Sequence, residues 1–309
     1  MSRVAYRIVD VETEGGALRV GCWGEGERVV LAAHGVTANH REFLAVAERL
    51  DPNITLVAPD LRGRGGSQNV GGPFGMETHA DDLARIIDRL GASTALAIGH
   101  SMGGFVAVVA AARHPERIYG AVLIDGGLPP AQRLQDLVGN MPIDEVIRTV
   151  IGPSLDRLDM TFADAEAYLD FWRPHPSVVG EWNPYLEDYF RYDLAGTPPE
   201  MRPRVNKQAV LADSTSDFRS ELIEGALDSL TQPVVFLRAP RGVFNEEPPL
   251  YTEDVVADWL GRMPQLRAET VPDVNHFTIT LSALGADHVA NVINRETAAA
   301  SATTDSVVA

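Results

Sequence analysis

Residues Thr94 to Ala112 read TALAIGHSMGGFVAVVAAA, and the fold turns on how this stretch is parsed. The apolar run Thr94 to Ile98 has the length and composition of a short buried strand, and from Met102 onward small and aliphatic residues continue at helical spacing. Between them lies Gly99-His100-Ser101-Met102-Gly103, which makes the segment a strand, a sharp turn and a helix. A serine on such a turn is forced into a strained backbone conformation, tolerable only if the residues two before and two after it have no Cβ to collide. Gly99 and Gly103 meet that condition. The turn lifts the Ser101 hydroxyl clear of the sheet. It also leaves the Met102 N–H unpaired at a helix N-terminus, aimed where a negative oxygen could form. The pattern G-x-S-x-G alone arises by chance in roughly one chain of this length in ten. Its flanking strand and helix, and Gly104 allowing the helix close to the sheet, carry the reading further.

The chain has 309 residues, a formal charge of −17 and one cysteine, Cys22. That length suits one large α/β domain with an insertion. The acidic balance argues against a nucleic-acid partner or an anionic membrane surface. No run has the length of a membrane span, no apolar leader opens the chain and no disulfide is possible within it, so a cytoplasmic location is expected. No Cys pair, His-Glu-x-x-His or calcium-loop pattern is present, and neither metal nor cofactor is expected.

Outward from the elbow, residues 4–11 and 17–23 alternate around Glu14-Gly15-Gly16 as a hairpin, and Arg28 to Ala33 is a continuous apolar run of the kind buried on both faces of a parallel sheet. A helix is expected over Thr37 to Leu50, a strand over Ile54 to Ala58, a helix over Glu77 to Leu90 and a strand over Tyr119 to Ile124. The glycines after the strand Ile54 to Ala58, Gly63-x-Gly65-x-x-Gln68, have the wrong spacing for a dinucleotide loop, and no helix follows at once. Alternation then stops. From Leu128 to Asp213 no strand is evident, while helices are expected over Ala131–Leu137, Ile143–Ile151, Phe162–Trp172 and Trp182–Tyr192. Strand and helix patterns resume to Arg295: a helix over Asp217–Leu230, a strand over Pro233–Leu237, a helix over Glu253–Met263, a strand over Leu266–Val271 and a last helix after His276. The expected domains are a core of 1–127 and 214–296, a helical cap of 128–213 and a disordered tail from Thr297.

Three distant pieces converge on one mechanism. Ser101 is the candidate nucleophile. His276, in PDVNHFTIT past the last strand, would hang over the elbow as general base. The Val36 N–H, just beyond His34-Gly35, would join Met102 as the second oxyanion donor. Of the eight histidines, His100 is expected to pack or hydrogen-bond, and His40 and His79 to lie on helix surfaces. Asp60 and Arg62 are expected to fix their loop.

The segments HGVTANH, PDLRGRGGS, GHSMGG and NHFTI, in this order and spacing, resemble the α/β-hydrolase family, in its capped esterase and lipase-like branch. The resemblance spans roughly Val4 to Arg295. It implies an eight-stranded, mainly parallel sheet with helices on both faces and a helical cap after the sixth strand. The family usually carries its triad acid after the seventh strand, in a Gly-x-x-Asp segment that here reads Gly242-Val243-Phe244-Asn245. Asp125, after the sixth strand, is the first candidate acid, Glu246 the second, and a Ser-His-Asn arrangement the third.

Aromatic residues crowd the expected cap. Most would form its own core, while Trp172, Trp182, Tyr185 and Tyr189, with His34, are candidate substrate contacts. The expected activity is a serine hydrolase acting through an acyl-enzyme on a small or medium apolar ester or lactone. The alternatives are C–C bond hydrolysis or cofactor-free perhydrolysis at the same site, or a non-catalytic receptor. A homodimer is compatible with the sequence.

Overall fold

The computed structural model describes residues 4–129, 145, 148–149, 151–217 and 220–308. Eight strands form the main sheet: β1 (Tyr6–Thr13), β2 (Gly16–Trp23), β3 (Arg28–Ala33), β4 (Ile54–Pro59), β5 (Ala95–His100), β6 (Ile118–Ile124), β9 (Val234–Arg238) and β10 (Leu266–Thr270). Their order is β1-β2-β4-β3-β5-β6-β9-β10. The first two are an antiparallel hairpin joined antiparallel to β4, and all other neighbours are parallel.

The continuous apolar runs are explained by burial on both faces, with successive side chains pointing to opposite sides. Leu31, Ala97, Leu123 and Phe236 enter one core, beneath the helices Met76–Leu90, Met102–Arg113, Ser220–Ser229 and Glu253–Arg262. Their neighbours Val30, Ile98, Val122 and Leu237 enter the other, beneath Leu44–Ala47 and the C-terminal helix. The helix after Ser101 is Ala- and Val-rich and meets Ala95, Ala97 and Ala121, so small residues on both sides let it sit close to the sheet.

Between β6 and β9 the chain leaves the sheet. The described part of this excursion holds the helices Pro153–Asp156, Ala165–Trp172, Pro184–Tyr192 and Lys207–Asp217. It also holds a hairpin that alternation did not announce: β7 (Leu194–Thr197) pairs with β8 (Glu200–Pro203). Four-residue strands are too short for a period of two to register in sequence. Asp164 and Asn183 cap their helices, which therefore start later than apolar spacing alone suggests. The helices expected over 131–137 and most of 143–151 lie outside the described residues. This unit has its own apolar core, including Tyr168, Leu169, Trp172, Leu186 and Phe190, and rests on Ala38, Phe277 and Leu281 of the sheet's upper loops.

Two further expectations change. Only His40–Phe43, a 3₁₀ turn, and Leu44–Ala47 are helical within 37–50, because Asn39 caps the turn and holds the preceding loop extended. The last helix, Ala283–Val308, runs through the stretch expected as a disordered tail. Its apolar face buries Val289, Val292 and Ile293, and Thr297 is itself buried with its hydroxyl on the Ile293 carbonyl.

Candidate active site

Ser101 stands between β5 and the helix Met102–Arg113 with φ 54° and ψ −121°. A non-glycine residue held there stores about 1–3 kcal/mol of strain. Two backbone approaches make the turn possible. A Cβ on Gly99 would sit 1.9 Å from the Gly103 carbonyl oxygen, and one on Gly103 would sit 1.9 Å from the Ala33 oxygen. The two glycines flanking the elbow are thus required by close packing of strand, turn and helix.

Three loops at the carboxyl ends of the strands meet above this turn, where open α/β sheets place their ligands. His276 follows β10, and its Nδ1 is 2.7 Å from Asp125 Oδ2. Asp125 follows β6 in a left-handed conformation, φ 46°, and its second oxygen accepts the Ala239 N–H at 2.9 Å. Both groups are buried, at 6% and 1% exposure. Asn245, by contrast, accepts from Arg241 and Asn275, and Glu246 accepts the Phe244 N–H, so neither is bonded to His276. Asp125 is held against β9 by two backbone contacts, its N–H donating to the Leu237 carbonyl and its Oδ1 accepting the Ala239 N–H, and from there its other oxygen reaches the His276 ring. Burial pulls the His276 pKa below its ordinary value, the neighbouring His100 adds to that, and Asp125 opposes both.

Ser101 and His276 line a cavity of about 40 Å³ with Val36, Ser154, Tyr189 and Phe277 among its walls. That is room for a few small groups, since one water requires about 10–15 Å³ on this measure. The Val36 and Met102 amides make no hydrogen bond among the described residues. The loop carrying Val36 is held from three sides. Gly35 N–H donates to Glu42 Oε2 at 3.1 Å, Arg64 Nε donates to the Val36 carbonyl at 2.9 Å, and Arg157 Nη2 donates to the Thr37 carbonyl at 2.9 Å. Both arginines are themselves buried on carboxylates of the excursion, Arg64 on Asp213 and Arg157 on Asp193. A larger cavity of about 910 Å³, among Arg28, Tyr119 and Glu296, lies at the opposite edge of the sheet. It is far from these groups.

The candidate substrate contacts divide. Tyr189 lines the cavity. Trp172 is buried in the core of the inserted unit, stacked on Phe190 at 4.5 Å, and Trp182 stacks on the same Phe190 ring at 5.8 Å. Tyr185 faces a separate groove, its hydroxyl donating to Glu48. His34 is wholly buried and both ring nitrogens are taken by backbone: Nε2 accepts the Leu61 N–H, so Nδ1 carries the proton and donates to the Gly35 carbonyl. Burial holds it down to about pKa 4, hence neutral. It is a clamp between two loops and does not reach the cavity.

His40 and His79, expected on helix surfaces, are fully buried on Asp60 and Asp213. Asp60 also accepts from Gly66 N–H and the Tyr192 hydroxyl. Burial raises its pKa, yet His40 and these donors bring it down to about 2. Asp60 and Arg62, the latter bidentate on Asp82, do fix their loop. Glu42, Arg64 and Arg157 were not singled out by sequence reasoning. Charged residues carry no local mark of burial, and only their distant partners reveal them.

Residues 28–144 match the family model for the alpha/beta hydrolase fold. The chain is 26% identical over 259 residues to the 2-(acetamidomethylene)succinate hydrolase of Mesorhizobium japonicum, covering 82% of this chain and 83% of that protein. It is 34% identical over 147 residues to a lipase of Mycobacterium tuberculosis, 48% of this chain and 52% of the other. A crystal structure of E-2-(acetamidomethylene)succinate hydrolase superposes with a TM-score of 0.75 at 23% identity, over 94% of this chain and all of that one. With its eight-stranded sheet, its serine elbow and these relatives, the chain has the α/β-hydrolase fold.

Proposed function

We propose that the protein is a serine hydrolase that cleaves small, uncharged carboxylic esters or lactones through an acyl-enzyme. The observation that carries this reading is the buried Asp125–His276 hydrogen bond, with its imidazole on the same small cavity as Ser101. Asp125 accepts from Nδ1, so the lone pair of neutral His276 is on Nε2, the nitrogen left to take the Ser101 proton. Ser101 Oγ attacks the acyl carbon, and the Val36 and Met102 amides receive the oxyanion. Each such donor is worth about 3–4 kcal/mol in related chemistry. His276 passes its proton to the leaving alcohol, water enters, and the same steps release the acid. Asp125 stabilises the imidazolium that forms in both halves.

The cavity supports the substrate class. Its volume suits a short acyl group. Among the described residues, no Lys or Arg lines it, and the His100 on its wall is already paired with Glu42, so a substrate carboxylate would find no free counter-charge there. The inserted unit, which supplies Ser154 and Tyr189 to the cavity, acts as the cap in this reading. A receptor function draws its motive from Asn245 at the usual acid position. The Asp125–His276 hydrogen bond counts against that motive.

Intact mass after incubation with a small fluorophosphonate tests the proposal. One adduct is expected on the parent and none on Ser101→Ala. Acetyl esters are expected to turn over at least about tenfold faster than decanoyl esters. A folded parent chain that takes no adduct overturns the reading.

A further inference from the structure

Beneath the reacting groups lies a second buried pair. Glu42, in the 3₁₀ turn His40–Phe43, is 2% exposed, and His100, the residue before Ser101, is 5% exposed. His100 Nδ1 is paired with Glu42 Oε1. His100 Nε2 is 2.8 Å from the carbonyl oxygen of His276. The other oxygen of Glu42 accepts the Gly35 N–H, and the Thr280 hydroxyl approaches Oε1 at 3.5 Å.

The protonation state follows from these partners. A carbonyl can only accept, so Nε2 must carry a hydrogen. On the other side, a carboxylate receiving an amide and a hydroxyl is favoured in its ionised form, and the imidazole is the stronger base of the two. Both ring nitrogens therefore carry hydrogens, and His100 is an imidazolium facing an anionic Glu42. Burial alone would push His100 down and Glu42 up, but their mutual attraction reverses both.

We propose that Glu42 and His100 form a permanently charged pair that positions the site: it ties the oxyanion loop, the elbow and the His276 loop together and keeps His276 neutral. This rests on the reading of Ser101 and His276 as nucleophile and base. The three ties are Gly35 N–H to Glu42, His100 within the elbow, and His100 to the His276 carbonyl. The charge effect comes from the His100 ring, whose centroid is 4.6 Å from that of His276. The groups facing His276 are Asp125 and Glu42, which favour its protonation, and His100, which opposes it and is the closer member of its pair. Glu42 in turn faces His34 and the Tyr189 phenol, both uncharged at neutral pH.

Glu42→Gln separates charge from tethering. The amide oxygen can accept the Gly35 N–H, its NH₂ can donate to Nδ1 of a neutral His100, and Nε2–H still meets the His276 carbonyl. Only the charges go. His276 then protonates more easily, so the acid limb of Ser101 labelling by a fluorophosphonate moves up by about one pH unit, the low end for a charge within about 6 Å. Glu42→Ala also cuts the tie and lowers the plateau by at least about tenfold, further than Glu42→Gln does. In ¹⁵N spectra of the parent, both His100 nitrogens remain protonated from pH 5 to 9. A pyridine-like His100 nitrogen at pH 7, or a Glu42→Gln acid limb that superposes on the parent's, overturns the proposal. If the parent chain does not label at all, the hydrolase reading fails, and the ¹⁵N spectra still decide whether the pair is charged.

Discussion

Replacing Asp125 with Asn tests the assignment of the acid, and the structure sets the direction and size of the effect. Asp125 has two jobs: Oδ1 accepts the Ala239 N–H at 2.9 Å and Oδ2 accepts from His276 Nδ1 at 2.7 Å. Asparagine has one acceptor oxygen. The Ala239 amide is fixed in the chain and demands that acceptor, so the NH₂ turns to His276. The imidazole must then present its Nδ1 lone pair and move its hydrogen to Nε2, where it can no longer take the Ser101 proton. The same tautomer trap costs about 10⁴-fold in serine proteases, equivalent to about 5.5 kcal/mol of transition-state stabilisation. We expect kcat on a short-chain ester to fall by about that factor, with KM and the thermal midpoint nearly unchanged because size and burial are conserved. Asn245→Asp and Glu246→Gln are expected to stay within about fivefold of the parent, since neither residue is bonded to His276. An Asp125→Asn enzyme within tenfold of the parent would refute the reasoning.

Three other outcomes follow from the same structure. His34 and His175 are buried and held down to about pKa 4, below the unfolded value near 6.5. Between those values the unfolded chain binds protons that the native one does not. Their contribution is complete above pH 6.5 and is lost as pH falls towards 4, about 3 kcal/mol for each. Urea midpoints at pH 7.5 and 5 that coincide would contradict this. Tyr189→Ala opens the cavity wall and should raise decanoyl over acetyl turnover by at least about tenfold, whereas Tyr185→Phe, in its separate groove, should leave the ratio unchanged. Gly99→Ala drives a Cβ into the Gly103 backbone, where nothing can yield cheaply. A loss above about 4 kcal/mol is expected, read as soluble yield and thermal midpoint.

What the sequence determined by itself is what neighbouring residues enforce on one another. The elbow is legible because Gly99, Ser101 and Gly103 are constrained by a single turn. The sheet is legible because each strand shows its own burial on two faces. Ser101, His276, Val36 and Met102 could be named as candidates because each sits at the end of a recognisable strand or helix. Among the candidate acids Asp125 stood first, but Asp125 and Glu246 both follow strands at the same sheet edge, and only tertiary packing puts the Asp125 carboxylate against the imidazole. The aromatic residues of the inserted unit show the same limit. Helical spacing marks Trp172 and Tyr189 alike as apolar-face residues, and both join the core of the inserted unit, but only Tyr189 also reaches the cavity. Tertiary structure alone decided the burial of Glu42, Arg64 and Arg157. A charged side chain can be buried only where distant segments deliver its partner, and no local pattern in the chain records that meeting.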